Sequence, residues 1–271
     1  MNSKYEINKV YKDEFGRVSG VFLVNKPEGK TSHDIVDEFR VKFETRKVGH
    51  AGALDPFATG LLIILVGKAA KLSDSFLGLE KEYEAEIALG FKTDTLDTEG
   101  KITTVSDCKI SKIDLKNTLS FFQPEYLQEV PIYSSVKVKG DKLRELVRKS
   151  DSYKLEKNED GISTIQFIKD GTVRKELVIP RKQVHIYNLD LIELKDAKVT
   201  DYNLNDKFLM QLKDKNVNIF KSAKIIANVS KGTYIRKLAE DVGDKLGIPA
   251  MLINLKRTKI GEYSIENTFE S

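Results

Sequence analysis

Apolar and polar positions along the 271-residue chain change period several times, and each change marks an element. Val21–Val24 is a short apolar run stopped by Asn25-Lys26-Pro27-Glu28-Gly29, which predicts a strand followed by a turn. Thr31 or Ser32 then caps a helix in which Ile35, Val36 and Phe39 keep helical spacing and charges take the other face. Leu61–Val66 is unbroken apolar and predicts a buried strand, whereas Tyr83–Leu89 (YEAEIAL) alternates as a half-exposed strand does. Two more strands are expected at Val184–Ile192 and Lys224–Ser230. The second leads through Lys231-Gly232-Thr233 into a helix over Tyr234–Leu246, whose stripe is Ile235, Leu238, Ala239 and Val242 and which Gly247 and Pro249 stop. Residues 150–178 hold two turn signals, Glu159-Asp160-Gly161 and Lys169-Asp170-Gly171, around an alternating run, and read as a protruding hairpin. Residues 196–221 are polar, with Asn203, Asn205 and Asp206 breaking the period, and read as a surface excursion.

No internal repeat and no Pro/Gly/Ser linker divides the chain, so a single domain with two insertions is expected. With 40% hydrophobic and 32% charged residues the composition is that of an ordinary globular protein. The longest apolar stretch, Leu61–Val66, is far short of the roughly 20 residues that cross a bilayer, and the N-terminal segment lacks a continuous apolar signal. The single cysteine, Cys108, excludes an internal disulfide, and a cytoplasmic location is expected. Net charge is only +4, but nine Lys/Arg face three acids between Lys221 and Lys259, which suits a phosphate-binding face.

Gly29-Lys30-Thr31 resembles the end of a phosphate-binding loop, but Val24 stands where that loop needs its first glycine. His33, His50 and His185 show no paired ligand spacing, so no metal site is expected. What remains is Gly49-His50-Ala51-Gly52-Ala53-Leu54-Asp55-Pro56-Phe57-Ala58-Thr59-Gly60. Three glycines and a proline in twelve residues impose a special backbone, and such a loop projects its few functional side chains from a constrained turn. His50 and Asp55 are those side chains. On its own, Asp55-Pro56 is also a common helix N-cap and first-turn pair, so the residues alone leave both roles open.

The string HAGALDPFATGLLIILVGKAAKLSDSFLGLEKEYEAEIALGFKTDTLDTEG resembles the signature of the TruB family of pseudouridine synthases. Four further segments agree in the right order: GVFLVNKPEGKTSHDIV, PIYSSVKVKGDKLRELVRKS, SKGTYIRKLAEDVGDKLG and LKRTKIGEYSI. Together they span about Val18 to Ile265. The resemblance implies an α/β (α+β) fold with a central, mixed but mainly antiparallel sheet flanked by helices, and an enzyme that converts uridine 55 in the T loop of tRNA to pseudouridine without a cofactor. It also implies roles. Asp55 falls on the catalytic aspartate, Arg236 on the arginine that pairs with it, and Tyr83 on the tyrosine that packs against the target base. Tyr234 and Leu255 fall on pocket positions, and His50 on the histidine that fills the space left by a flipped base.

Breaking N1–C1′, turning the base and joining C5 to C1′ needs no redox partner, only an ionised, aimed carboxylate, which Arg236 would supply by holding Asp55. Attack at C1′ and attack at the base both remain open. Tyr83 is the expected relay for the C5 proton. Phosphate contacts are expected from Lys137, Lys139, Lys142 and Arg144, and from Lys231, Lys256 and Arg257. The pattern departs from the family at Val130, where a proline is usual, and at Arg144, where a tyrosine is usual; both changes are expected to affect RNA contacts. The chain ends at Ser271, soon after LKRTKIGEYSI, so the PUA-type RNA-binding domain of longer members is expected to be missing. The expected partner is the T stem-loop of tRNA, bound by a monomer that needs no protein partner and no membrane. A guide-RNA-dependent relative acting on ribosomal RNA and a catalytically idle RNA-binding protein are the alternatives.

Overall fold

A computed structural model describes residues 5–159 and 161–269. Its frame is a ten-stranded sheet. The main strands are β1 (Val18–Lys26), β2 (Thr59–Val66), β3 (Lys81–Leu89), β4 (Glu125–Glu129), β8 (Arg181–Lys198), β9 (Ile219–Val229) and β10 (Ala250–Ile260). They lie in the order β1, β2, β10, β3, β9, β8, β4. Every pairing among them is antiparallel except β2 with β10, which run parallel where Thr59 and Gly60 meet Lys256 and Arg257. The fold is thus the mixed α/β arrangement expected, with a central, mostly antiparallel sheet and helices.

Helices cover the sheet's apolar surface. Helix α1 (Ser32–Lys42) is capped by Thr31, whose hydroxyl accepts from the Asp34 N–H, and its Ile35, Val36 and Phe39 close a core with Phe22, Leu62 and Ile64. Helices α2 (Lys112–Phe121) and α4 (Ile235–Leu246) seal the main core, in which Leu115, Leu119, Leu238 and Val242 pack on Tyr83, Ile87, Ile225 and Leu252. Each such aliphatic or aromatic side chain contributes roughly 1.5–3 kcal/mol on burial, so the predicted stripe of α4 fixes which face the helix turns inward. Gly247 ends α4 at φ 73°, the left-handed cap expected there. Tyr234, expected as the first helical residue, is instead the extended residue before it. Among the described residues no helix is long and apolar enough to cross a membrane.

The two insertions differ from expectation. Residues 150–178 form a three-stranded antiparallel sheet rather than a hairpin: β5 (Ser152–Lys157), β6 (Ser163–Lys169) and β7 (Thr172–Val178). The extra strand follows from the second turn signal, and Ile165, Phe167 and Leu177 bury one face against Val130, Leu143 and Val147. Asp160 of the first turn signal lies outside the described residues. Residues 196–221 are no surface excursion. Asn205 does not break a helix but caps one, α3 (Asp206–Asp214), whose Phe208 and Leu212 pack with Phe91, Phe220 and Met251 on the sheet. Val130 is buried in the small core, and its N–H donates to the Pro180 carbonyl at 2.9 Å, a bond proline cannot make. The packing and this bond give the departure there a structural reason.

Candidate active site

The glycine-rich loop enters β2 beside β10, and its shape is set from several sides. Ala58 N–H donates to the Asp55 carbonyl at 3.1 Å, closing a turn with Pro56 inside it. Asp55 therefore caps no helix, and its carboxylate is free for other use. The Leu54 N–H donates to the Ser32 hydroxyl at 2.9 Å, and the Pro56 carbonyl accepts from Gly29 N–H at 2.9 Å and from the Lys26 ammonium at 3.2 Å. Lys26 is fully buried and also donates to the Pro27 and Lys30 carbonyls at 2.8 and 2.7 Å. Burial pulls its pKa down to about 8 against the opposing field of Asp55, so it is still largely charged near neutrality. At the loop's end, Gly60 has φ +108°, and a Cβ there would lie 2.3 Å from the Arg257 carbonyl oxygen. Only glycine permits this approach.

Arg236, two residues into α4, meets the loop from the opposite side. Its Nε lies 2.8 Å from Asp55 Oδ2 and its Nη2 donates to Oδ1 at 3.3 Å, a two-point pair. Its Nη1 lies 3.1 Å from Asp97 Oδ2 and donates to the Thr95 carbonyl at 2.7 Å, while Nη2 also reaches the Tyr133 carbonyl at 3.4 Å. The side chains of Arg236 and Asp97 are 7% and 4% exposed, but that of Asp55 is 40% exposed. The guanidinium is thus anchored on the protein side by Asp97, with Asp55 open toward solvent. Asp97 is itself gripped: its Oδ1 accepts from Thr95 Oγ1 and Glu99 N–H, and its backbone is clasped by the Thr93 hydroxyl. Burial pushes the Asp97 carboxyl up and Arg236 pulls it back. Asp97 was not singled out in the sequence. Replacing it with asparagine removes the second anchor while Asp55 keeps the guanidinium neutralised. Turnover of Asp97→Asn is expected to fall at least about tenfold with KM for RNA within about twofold, measured by steady-state kinetics.

Tyr83 and Leu255 belong to the same apolar cluster as Leu54, Phe57 and Ala58, the residues on either side of Asp55 in the chain. Among the described residues the Tyr83 phenol makes no hydrogen bond. His50 ends the strand Val48–His50, and among the described residues its buried Nδ1 has no hydrogen-bond partner. Burial, then Arg257, holds its pKa below the ordinary value, so the ring is neutral at pH 7. Tyr234 precedes α4 and packs against the small core, and burial pushes the pKa of its phenol up. Lys137 and Lys231 are exposed, on a two-stranded ribbon and on the turn before α4, and neither joins the Asp55 cluster.

Arg257 does not fit its expected role. It is 1% exposed, its Nε donates to the Leu61 carbonyl at 2.7 Å and its Nη2 to the Gly52 carbonyl at 3.0 Å. A group so enclosed holds the loop rather than a phosphate. Nor is the basic excess of 221–259 one surface. Arg236 and Lys237 are buried, and Lys221, Lys224 and Lys259 pair with Asp196, Glu84 and Glu82.

Residues 40–175 match the family model described as TruB family pseudouridylate synthase, N-terminal domain. A protein of Aquifex aeolicus named tRNA pseudouridine synthase B is 34% identical over 249 residues, covering 92% of this chain and 71% of its own length. The protein of the same name in Acholeplasma laidlawii is 38% identical, with 91% and 71% covered. Among solved structures, a Cbf5-Nop10-Gar1 complex contains a chain that superposes with a TM-score of 0.56 at 20% identity. That match covers 90% of this chain but only half of the other, and it bears on the fold alone.

Proposed function

The chain belongs to the TruB family of pseudouridylate synthases, and on that premise we propose that it isomerises uridine 55 in the T loop of tRNA by way of Asp55. Isomerase action on tRNA is supported by relatives bearing the name tRNA pseudouridine synthase B over nine-tenths of the chain. The observation that carries the nucleophile is the Asp55–Arg236 pair: a carboxylate held at two points by a buried guanidinium and open on its other side.

The reaction breaks N1–C1′, forms C5–C1′, and moves the C5 proton to N1, so atoms balance without a co-reactant. Asp55 attacks an extruded base or its C1′, and extrusion costs roughly a few kcal/mol of lost stacking. The neutral, flat ring of His50, five residues from Asp55, fills the vacated space; Tyr83 stacks on the uracil, and its unpaired phenol relays the C5 proton. Leu255 and Tyr234 close the pocket, and exposed Lys137 and Lys231 meet phosphates. One catalytic domain, acting in the cytoplasm as a monomer without protein partner or cofactor, completes the reading.

The test is position-resolved mapping of pseudouridine on an unmodified tRNA transcript incubated with the purified protein alone. Conversion at position 55 and nowhere else is expected. No conversion overturns the reading, and conversion only with an added guide RNA overturns the stand-alone assignment.

A further inference from the structure

Helix α4 carries Arg236 in its first turn, yet no side chain of the residue before it caps the helix. The backbone of Tyr234 is met instead by Gln128 of the five-residue edge strand β4, a side chain only 1% exposed. Tyr234 N–H donates to Gln128 Oε1 at 2.7 Å, and Gln128 Nε2 donates to the Tyr234 carbonyl at 3.0 Å. The peptide group dictates the carboxamide's orientation, because its N–H needs an acceptor and its carbonyl a donor.

The second Nε2 hydrogen goes to the Tyr126 phenol, which donates to Asp241 Oδ2 at 3.2 Å. Asp241 Oδ1 lies 2.8 Å from Lys237, which reaches Glu240 at 2.9 Å, and Glu240 reaches Lys92 at 2.9 Å. Lys92 adjoins Thr93, whose hydroxyl clasps Asp97. One part-buried polar chain therefore runs from the entry of α4, around the helix, to the segment that anchors Arg236. Its far end is charged and neutralised internally, but its near end rests on Gln128.

We propose that Gln128 is a positioning residue, setting the entry of α4 so that Arg236 meets Asp55 and Asp97 together. The proposal rests on the pseudouridine synthase reading above. An error of about 1 Å in placing a reacting group costs on the order of 100-fold in rate, so a fixed helix entry matters more to turnover than to binding. Gln128 makes no hydrogen bond to Asp55 among the described residues, and it is itself only 1% exposed.

Two variants test it. Gln128→Glu keeps the acceptor for Tyr234 N–H but presents a second oxygen to the Tyr234 carbonyl. Protonation restores one donor, and the titratable and charged groups around that site are Tyr126, Asp241 and Lys237. Gln128→Met keeps the length and removes all three bonds. At about pH 8 both are expected to lower kcat at least about tenfold with KM for tRNA within about twofold. On lowering the pH to about 6, the ratio of Gln128→Glu to wild-type kcat rises, while that of Gln128→Met stays flat. Where Gln128→Glu melts below the assay temperature, kcat against KM for Gln128→Met decides. Wild-type kcat in Gln128→Met, a fall explained by KM, or equal deficits in both variants at every pH overturns the proposal. Wild-type protein that forms no pseudouridine overturns the underlying reading instead.

Discussion

Asp55→Asn is expected to form pseudouridine at least about 10³-fold more slowly than the wild type while binding tRNA within about threefold of it. The substitution keeps the shape of the side chain and removes the charge that a nucleophile needs. The fold should survive it. Arg236 keeps Asp97 at 3.1 Å, so losing Asp55 does not strand a buried guanidinium without a counter-charge. The loop backbone is held independently, at Leu54 by Ser32 and at Pro56 by Lys26 and Gly29. Single-turnover conversion of tRNA and filter binding with the same preparation separate the two effects. A residual rate within tenfold of wild type removes Asp55 from the chemistry, and a matching loss of affinity makes it an RNA contact.

How much of this was legible in the sequence depends on whether a pattern or a register carries the information. Leu61–Val66 and Tyr83–Leu89 were readable because burial on both faces, or on one, writes itself as a run or an alternation. Asp55 and Arg236 were readable because they sit in motifs. Asp97 was not, since Asp94, Asp97 and Glu99 crowd one segment and only the fold turns Asp97 inward to Arg236. The basic string Lys256-Arg257-Thr258-Lys259 hides a similar choice. The pairing of β10 with β3 shifts register between Arg257 and Lys259, so simple alternation does not say which cation enters the core. Asn205 misled for another reason: asparagine interrupts a period in the same composition whether it ends a helix or caps the next one. Gln128 leaves no trace at all, because its partner is a backbone group 106 residues away.

Arg257 provides the sharpest contrast between the two levels, and three measurements on its variants decide between a phosphate contact and a loop clip. As a phosphate contact, Arg257→Met would weaken tRNA binding, reduce the salt slope of the affinity by about one, and be rescued by Arg257→Lys. As a clip, it joins Gly52 and Leu61, the two ends of the segment that carries Asp55, to the strand that carries Leu255. Removing the guanidinium then orphans two carbonyls, at about 1–3 kcal/mol each, offset in part because a buried charge no longer has to be desolvated. The expected result is a lower melting temperature, a kcat reduced at least about tenfold, and a salt slope unchanged. Arg257→Lys should restore little, because a single ammonium on a flexible stem does not reproduce the planar fork that reaches both carbonyls. A reduced salt slope together with lysine rescue would return Arg257 to the RNA surface and leave the loop's C-terminal end held by the close Gly60 approach alone.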